Sequence, residues 1–348
     1  MSFTSLCARH GRRVTCVVTL AASAIAASPL QAQDVNAGVT ELRLSTALAP
    51  TYPLGRAGQR WAQLVNEKAG GTFEVKQYPG ATLAARDPGR EFGALKSGLA
   101  ELAVGSALVW SAQFAPVGVY AIPWLTGSAR EQEALAADVP LRESVFAQMA
   151  TAGVIGLAVA PLGEYVLATT KAPIETPADL KGLHVRVVSL RSLIELYAAL
   201  GAVPQSMNFA QAQAALAAGT LAGQDALPTT LVATRASVSG MKFITRWGAF
   251  ADVMVFAARK ASWDSWSEER RVLVRNAAEQ AAREVNALAR EEAALEQLTK
   301  DGVTILRLSP VQRHAMRDAA QPAIDRWTGL VGAELAGAAQ AVVAAARK

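Results

Sequence analysis

The chain has 348 residues, 51% of them hydrophobic and 18% charged, with a formal net charge of +5. This is a globular composition with ample core, and the length favours two domains over one. With two cysteines and three histidines in all, a histidine-rich metal site is excluded and a Ser/His/Asp triad has few candidates.

In chain order, Arg9, Arg12 and Arg13 precede a 14-residue apolar run, residues 14–27, followed by SPLQAQD. A basic start, a short apolar stretch and a small residue at Ala32 predict a secretory signal over residues 1–32, cut between Ala32 and Gln33. A membrane span needs about 20 apolar residues, more than this run supplies. Cys7 and Cys16 both lie inside that segment, so the exported chain is expected to have no thiol, disulfide or cysteine-based metal site. Removing the three arginines takes the formal charge from +5 to +2. No basic cluster with interleaved aromatics remains, which argues against a nucleic-acid partner. No later apolar run approaches spanning length, so a soluble protein of the bacterial periplasm is predicted.

Strand-like and helix-like segments then alternate. ELRLSTAL (41–48) reads as a strand, and residues 53–68 have helical spacing through Ala57, Trp61, Leu64 and Val65 up to a Gly-Gly stop. FEVKQY (73–78), a helix near 90–97 and ELAVGSA (101–107) continue a βαβαβ pattern, predicting mixed, mostly parallel sheet covered by helices. Further on, residues 189–200 read as a helix, and Asn208 is a plausible cap for the next one. LAGQDAL (221–227) and residues 253–258 read as strands. Residues 267–302 look like one long helix with Glu268 and Glu269 in its first turn and Gly302 past its end, about 50 Å in length.

No H-E-x-x-H, G-x-S-x-G or phosphate-cradling glycine loop is present, and no cofactor or metal is implied. His314 belongs to a polar helix, and His184 reads as a half-exposed strand residue. The unusual feature is DLKGLHVRVV (179–188), where Arg186 stands among Leu183, Val185, Val187 and Val188. A charge there is costly to bury alone. It serves either an internal salt bridge, to Asp225 or Glu164, or an anionic ligand.

Four stretches, in order and spacing, resemble one family. They are YPGATL (78–83), TPADLKGLHVRVV (176–188), ALGAVPQSMNFAQAQAALAAGTLAGQD (199–225), and ASWDSWSEERRVLVRNAAEQAA (261–282) with KDGVTILRLSP (300–310). Over residues 42–327 the chain resembles the periplasmic solute-binding subunits of TRAP (tripartite ATP-independent periplasmic) transporters, the dicarboxylate-binding-protein-like family. The resemblance implies an α/β, two-domain periplasmic binding protein fold (type II-like), with crossing hinge strands near residues 161 and 252 and one long helix spanning both domains. It assigns residues 33–161 with 252–290 to domain I and 162–251 with 291–348 to domain II. It also implies a monomeric binding protein, not an enzyme, that captures an organic acid and hands it to small and large membrane subunits.

Arg186 falls where that family keeps its carboxylate-gripping arginine. Its planar guanidinium offers paired donors to a carboxylate and does not lose its proton. The family's second arginine would fall near Tyr165 or Val166, and neither is basic. Its GQEN strand reads Gly223, Gln224, Asp225 and Ala226, without the asparagine. Gln224 and Asp225 thus stand as site candidates, with Tyr165, Ala226, Leu227 and Trp247 as walls and Ser106, Trp110 and Tyr52 as contributors from the first domain. The loss of polar grip points to a less polar acid than a sialic acid or C4-dicarboxylate, aromatic or branched aliphatic. Two other readings stay open. One is a ligand-presenting sensor subunit. The other is a periplasmic enzyme using Tyr165, His184 or Asp225 as acid or base.

Overall fold

The computed structural model describes residues 39–207, 209–285 and 287–348. The predicted signal segment with Cys7 and Cys16, and the Asn208 cap, lie outside these residues. The strands are β1 (Thr40–Thr46), β2 (Phe73–Pro79), β3 (Leu102–Ser106), β4 (Val154–Glu164), β5 (Val166–Thr169), β6 (His184–Val187), β7 (Val203–Ser206), β8 (Gly223–Ala226), β9 (Phe243–Arg246), β10 (Ala251–Arg259) and β11 (Thr304–Arg307).

They form two mixed sheets. The first runs β2-β1-β3-β10-β4, the second β11-β9-β5-β8-β6-β7. In the first, β1 is parallel to β2 and β3, while β10 runs antiparallel to β3 and β4. In the second, β6 is parallel to β7 and β8, and β5 is antiparallel to β8 and β9. β10 (ADVMVFAAR) is buried along nearly its whole length because it is an inner strand covered on both faces, which explains its continuous apolar sequence. Helix Pro53–Asn66 packs its apolar stripe on the first sheet through Trp61. The Trp61 ring meets Phe256 edge-on at 5.6 Å, and its Nε1 donates to the Val274 carbonyl at 3.0 Å.

The chain passes between sheets at three places. It leaves the first sheet after Glu164 and enters the second at Val166. It returns through residues 247–250 to Ala251, and it passes once more between two helices near residue 285. The first two passages run side by side: Ala251 pairs with Glu164, and Tyr165 N–H donates to the Phe250 carbonyl at 3.0 Å. These are the crossing strands expected.

The single long helix expected over 267–302 is corrected: it is two helices, Glu268–Glu284 and Ala287–Lys300. Val285 has left the helical region between them (φ −80°, ψ 82°). The apolar spacing continues across the break, so periodicity does not reveal it. Packing does: Val285 and Ala287 are both buried, and the second helix has turned so that Glu291 reaches the end of β4. At the C-terminus, helix Pro310–Val331 packs on helix Arg191–Ala199 beside the second sheet. The last helix, Ala333–Ala346, bends away by 111° onto helices Ala129–Ala137 and Val139–Thr151 beside the first sheet.

One ion cluster ties the three passages together. Arg246, at the end of β9, donates to Glu164 (3.2 Å), Glu291 (3.3 Å) and Glu292 (3.1 Å). Glu164 also accepts from Gly248 N–H at 3.0 Å, and its own N–H donates to Glu291 at 2.8 Å. Gly163 (φ 128°) makes room for this: a Cβ there would stand 2.5 Å from Glu291 Oε2. Burial pushes the Glu291 carboxyl up to about 7 despite its partners.

Candidate ligand-binding cleft

A cavity of about 540 Å³ lies between the two sheets, built from the carboxyl ends of their strands. Ala47 and Leu48 follow β1, Gly80 and residues 86–89 follow β2, and Ser106 ends β3. From the other side, Arg186 with Val188 and Ser189 lies at the end of β6, Ser206 and Met207 at the end of β7, and Asp225 with Ala226 and Leu227 at the end of β8. Leu162 and Tyr165 form its back wall on the crossing strand. A crevice outside the carboxyl ends of strands is where open α/β sheets bind ligands, because loops and free backbone groups converge there.

Arg186 is 4% exposed. Its Nε donates to the Met207 carbonyl at 3.0 Å, which fixes the guanidinium against the end of β7. Burial works against its charge, and Asp225 supports it more than any other neighbour. Glu164, one of the two carboxylates that would have made Arg186 a structural ion pair, is held by Arg246 instead. Asp225 is fully buried, and neither of its carboxyl oxygens finds a hydrogen-bond partner among the described residues. Burial pushes its carboxyl up to about 7, opposed by Arg186. Tyr165 leans on Phe250 at 5.3 Å, and burial raises its hydroxyl well above the ordinary phenol value, Asp252 and Asp225 adding to the effect.

Ser106 caps the short helix Ala107–Trp110, accepting from Val109 N–H at 3.1 Å, and donates to Asp252 Oδ2. Asp252 also accepts from the N–H groups of Leu108 (3.0 Å) and Val253 (2.8 Å). Burial raises it to about 6. This network fixes the first-sheet wall of the cleft.

Four of the eight residues expected at the site therefore meet at the cavity: Arg186, Tyr165, Asp225 and Ser106. The expectation of Trp247 as a wall and of Trp110 as a contributor is corrected, since both are fully buried outside the lining. Trp247 is enclosed by Trp124, Tyr197 and Phe250 at ring distances of 5.9, 5.5 and 6.1 Å. Trp110 packs edge-on to Phe92 at 5.7 Å and lies so close over Gly105 that a Cβ there would be 1.9 Å from its ring. Tyr52 is outside the lining too. It precedes helix Pro53–Asn66, whose Pro53 and Leu54 reach the cavity in its place. Gln224 is registered with Arg186 on the neighbouring strand, yet is fully buried outside the lining. His184 is exposed, its Nδ1 2.8 Å from Gln205 Nε2, and does not line the cavity.

Arg86 and Asp87, and Met207 and Gln211, were not anticipated as lining residues. Arg86 adopts a left-handed conformation (φ 60°) in the loop after β2 and adds a second arginine to the cavity lining from the side of the first sheet. Its sequence signal was positional: it follows the YPGATL turn at the carboxyl end of a parallel strand.

The model of bacterial extracellular solute-binding protein family 7 matches residues 44–329. The chain belongs to this family. Among solved structures, a family 7 fold is shared with a TRAP periplasmic solute-binding protein from Ralstonia eutropha H16 holding (S)-2-acetolactate. That protein is 34% identical, with a TM-score of 0.83 over 87% of this chain and 98% of the other. A second, from Ochrobactrum anthropi, is 25% identical with a TM-score of 0.79 over 89% and 96% of the two chains. A C4-dicarboxylate-binding periplasmic protein of Rhodobacter capsulatus is 25% identical over 87% of this chain and 91% of its own. Family 7 proteins are periplasmic solute-binding components of TRAP transporters, and this assigns the chain its fold, its compartment and its role as a binding subunit.

Proposed function

We propose that this family 7 protein captures a small branched monocarboxylate bearing a hydroxyl or keto oxygen and delivers it to the small and large membrane subunits of a TRAP permease. The observation that carries the reading is Arg186, nearly fully buried and positioned at a strand end in the wall of a cavity between two lobes. A buried guanidinium is stabilised by an arriving carboxylate, which it can hold through two parallel bonds. The rest of the lining is largely apolar, with Leu48, Pro53, Leu162, Val188 and Leu227 suited to a branched carbon skeleton. The acetolactate held by the Ralstonia eutropha protein has this character. Arg86 on the opposite wall favours a second reading, a C4-dicarboxylate with one carboxylate on each arginine.

A thermal-shift screen of 2-acetolactate, 2-hydroxy-3-methylbutanoate and succinate against sugars and polyamines separates these readings. A ligand at 100 times its Kd adds about 2.7 kcal/mol of stability. Stabilisation by the branched acids supports the first reading and by succinate the second, whereas stabilisation by sugars or polyamines alone refutes both. Recovery of the bound acid chemically unchanged distinguishes a carrier from an enzyme.

The lobes are proposed to be residues 33–161 with 252–290 and residues 162–251 with 291–331, hinged on the crossing strands, the last helix, Ala333–Ala346, packing back on the first. Hinge closure is the usual response of such an arrangement to ligand. Small-angle scattering is expected to show a smaller radius of gyration at saturating ligand, and an unchanged curve counts against closure.

A further inference from the structure

We propose that Asp225 is a second ligand-binding group and acts as the neutral acid. Its carboxyl donates a hydrogen bond to a hydroxyl or carbonyl oxygen of the acid gripped by Arg186, so that binding takes up a proton and selects oxygen-bearing acids. This rests on the carboxylate-binding reading above and adds to it a partner, a proton and a basis for selectivity.

The observation is a contrast. Six carboxylates are buried among the described residues: Glu91, Glu131, Glu164, Asp225, Asp252 and Glu291. Five have donors: Glu91 accepts from Ser45, Glu131 from Gly127 N–H, Asp252 from Ser106 and two backbone N–H groups, and Glu164 and Glu291 share Arg246. Asp225 is the one for whose two oxygens no hydrogen-bond partner is found among the described residues, and it also belongs to the cavity lining, with Arg186 as its cationic neighbour. A buried polar group left unmet is costly, and natural proteins keep few without a use.

The charges around Asp225 then decide its protonation in the complex. Arg186 on β6 is the cation beside it, and the phenols of Tyr165 and Tyr197 are held neutral by burial. Gln211 and Thr230, from the helices on either side of β8, carry no charge. Asp252 faces from the first sheet with its donors already in place, and Arg86 and Asp87 lie in the loop on the far side of the cavity. A ligand carboxylate arriving at Arg186 would put two anions on one guanidinium in a desolvated space. Like charges in such a site force one group to take a proton. The ligand carboxylate is held by the paired donors of the arginine, so the proton goes to Asp225, whose carboxyl already titrates at about 7 in the empty protein. As an acid, Asp225 becomes a donor with no acceptor among the described residues. An oxygen next to the ligand's carboxylate supplies one, and an unsubstituted acid leaves it unmet.

The test is calorimetric titration of the exported protein with 2-acetolactate, 2-hydroxy-3-methylbutanoate, succinate and 2-methylbutanoate, at several pH values between 6 and 9 and in phosphate and Tris. The monocarboxylate probes' own carboxyls titrate below about 5, outside this window; succinate's second carboxyl titrates higher, so its titrations are compared from pH 7 upward. The apparent enthalpy is expected to differ between the buffers by the ionisation heat of up to one proton. Kd is expected to rise toward about tenfold per pH unit above pH 8. The oxygen-bearing branched acids should bind about tenfold or more tighter than 2-methylbutanoate. Asp225→Asn, which offers an N–H donor without titrating, is expected to keep affinity within about fivefold and lose the pH dependence. Binding with a buffer-independent enthalpy and a flat pH profile in the parent overturns the proposal while leaving the carboxylate reading intact. So does a pH profile that survives in Asp225→Asn. Failure of every acid to bind removes both.

Discussion

Replacing Arg186 by alanine is expected to weaken organic-acid binding by roughly a hundredfold to a few thousandfold. Leaving a desolvated carboxylate without its partner costs about 3–5 kcal/mol, at about 1.4 kcal/mol per tenfold in affinity. Arg186→Lys should also fail substantially, because an ammonium is a point charge and lacks the paired donors. The stability of the empty protein should change little. The substitution removes a charge that burial disfavours, and it frees the Met207 carbonyl from one hydrogen bond. A structural ion pair would behave in the opposite way, with a large fall in melting temperature and binding altered only indirectly. Calorimetric titrations and melting curves of the parent and both variants decide the matter, and retention of affinity within about threefold in Arg186→Ala sinks the assignment.

The second large effect is expected where the chain passes between the sheets, and on stability. Arg246→Met removes the cation that Glu164 and Glu291 share, both largely buried, along with its contact to the exposed Glu292. Breaking a buried ion cluster by deleting one partner typically costs about 3–5 kcal/mol, because the remaining charges are left uncompensated. The loss should depend on pH with a definite sign. Glu291 titrates at about 7 in the folded protein, above the ordinary carboxyl value, so its ionised form is the unfavourable one there. The deficit is therefore largest above pH 7 and shrinks as pH falls toward 5 and the group takes up a proton. Urea unfolding of parent and variant at pH 8 and pH 5.5 checks this. A deficit that is equal at both values, or below about 1 kcal/mol at pH 8, would show that the cluster contributes no more than a surface pair.

The elements that the sequence makes legible are those whose signal is local. β1, β2 and β3 announce themselves by apolar patterning and by the Gly-Gly and Pro-Gly stops around them, and the observed ranges follow that reading closely. The break at Val285 is silent because apolar positions keep their helical spacing on both sides of it. The chain turns there to carry Glu291 to the end of β4, which is a demand of the assembled ion cluster and leaves no mark in the local pattern. Trp110 and Trp247 fail for a related reason. An aromatic residue near a cleft motif has the same appearance whether it faces a ligand or the core, and here Gly105 and the ring cluster of Trp124, Tyr197 and Phe250 absorb them.

At the site, sequence by itself determined the family, through four motifs in order, and with it the identity of Arg186 as the residue to examine. The reason is chemical: a guanidinium at a buried strand end is costly without a partner, so its presence in an apolar run already requires an anion. What only the tertiary structure decided is where the two candidate carboxylates go, and what surrounds the arginine. Glu164 and Asp225 were equal candidates in the sequence. Folding gives Glu164 to Arg246 between the sheets and leaves Asp225, in the cavity lining, without a hydrogen-bond partner among the described residues. Arg86, far away in sequence and unremarkable in its loop, reaches the same cleft because parallel strands deliver their carboxyl ends to one place. Charge type is a property of a residue, but pairing and protonation are properties of its surroundings, and those come from segments up to two hundred residues apart.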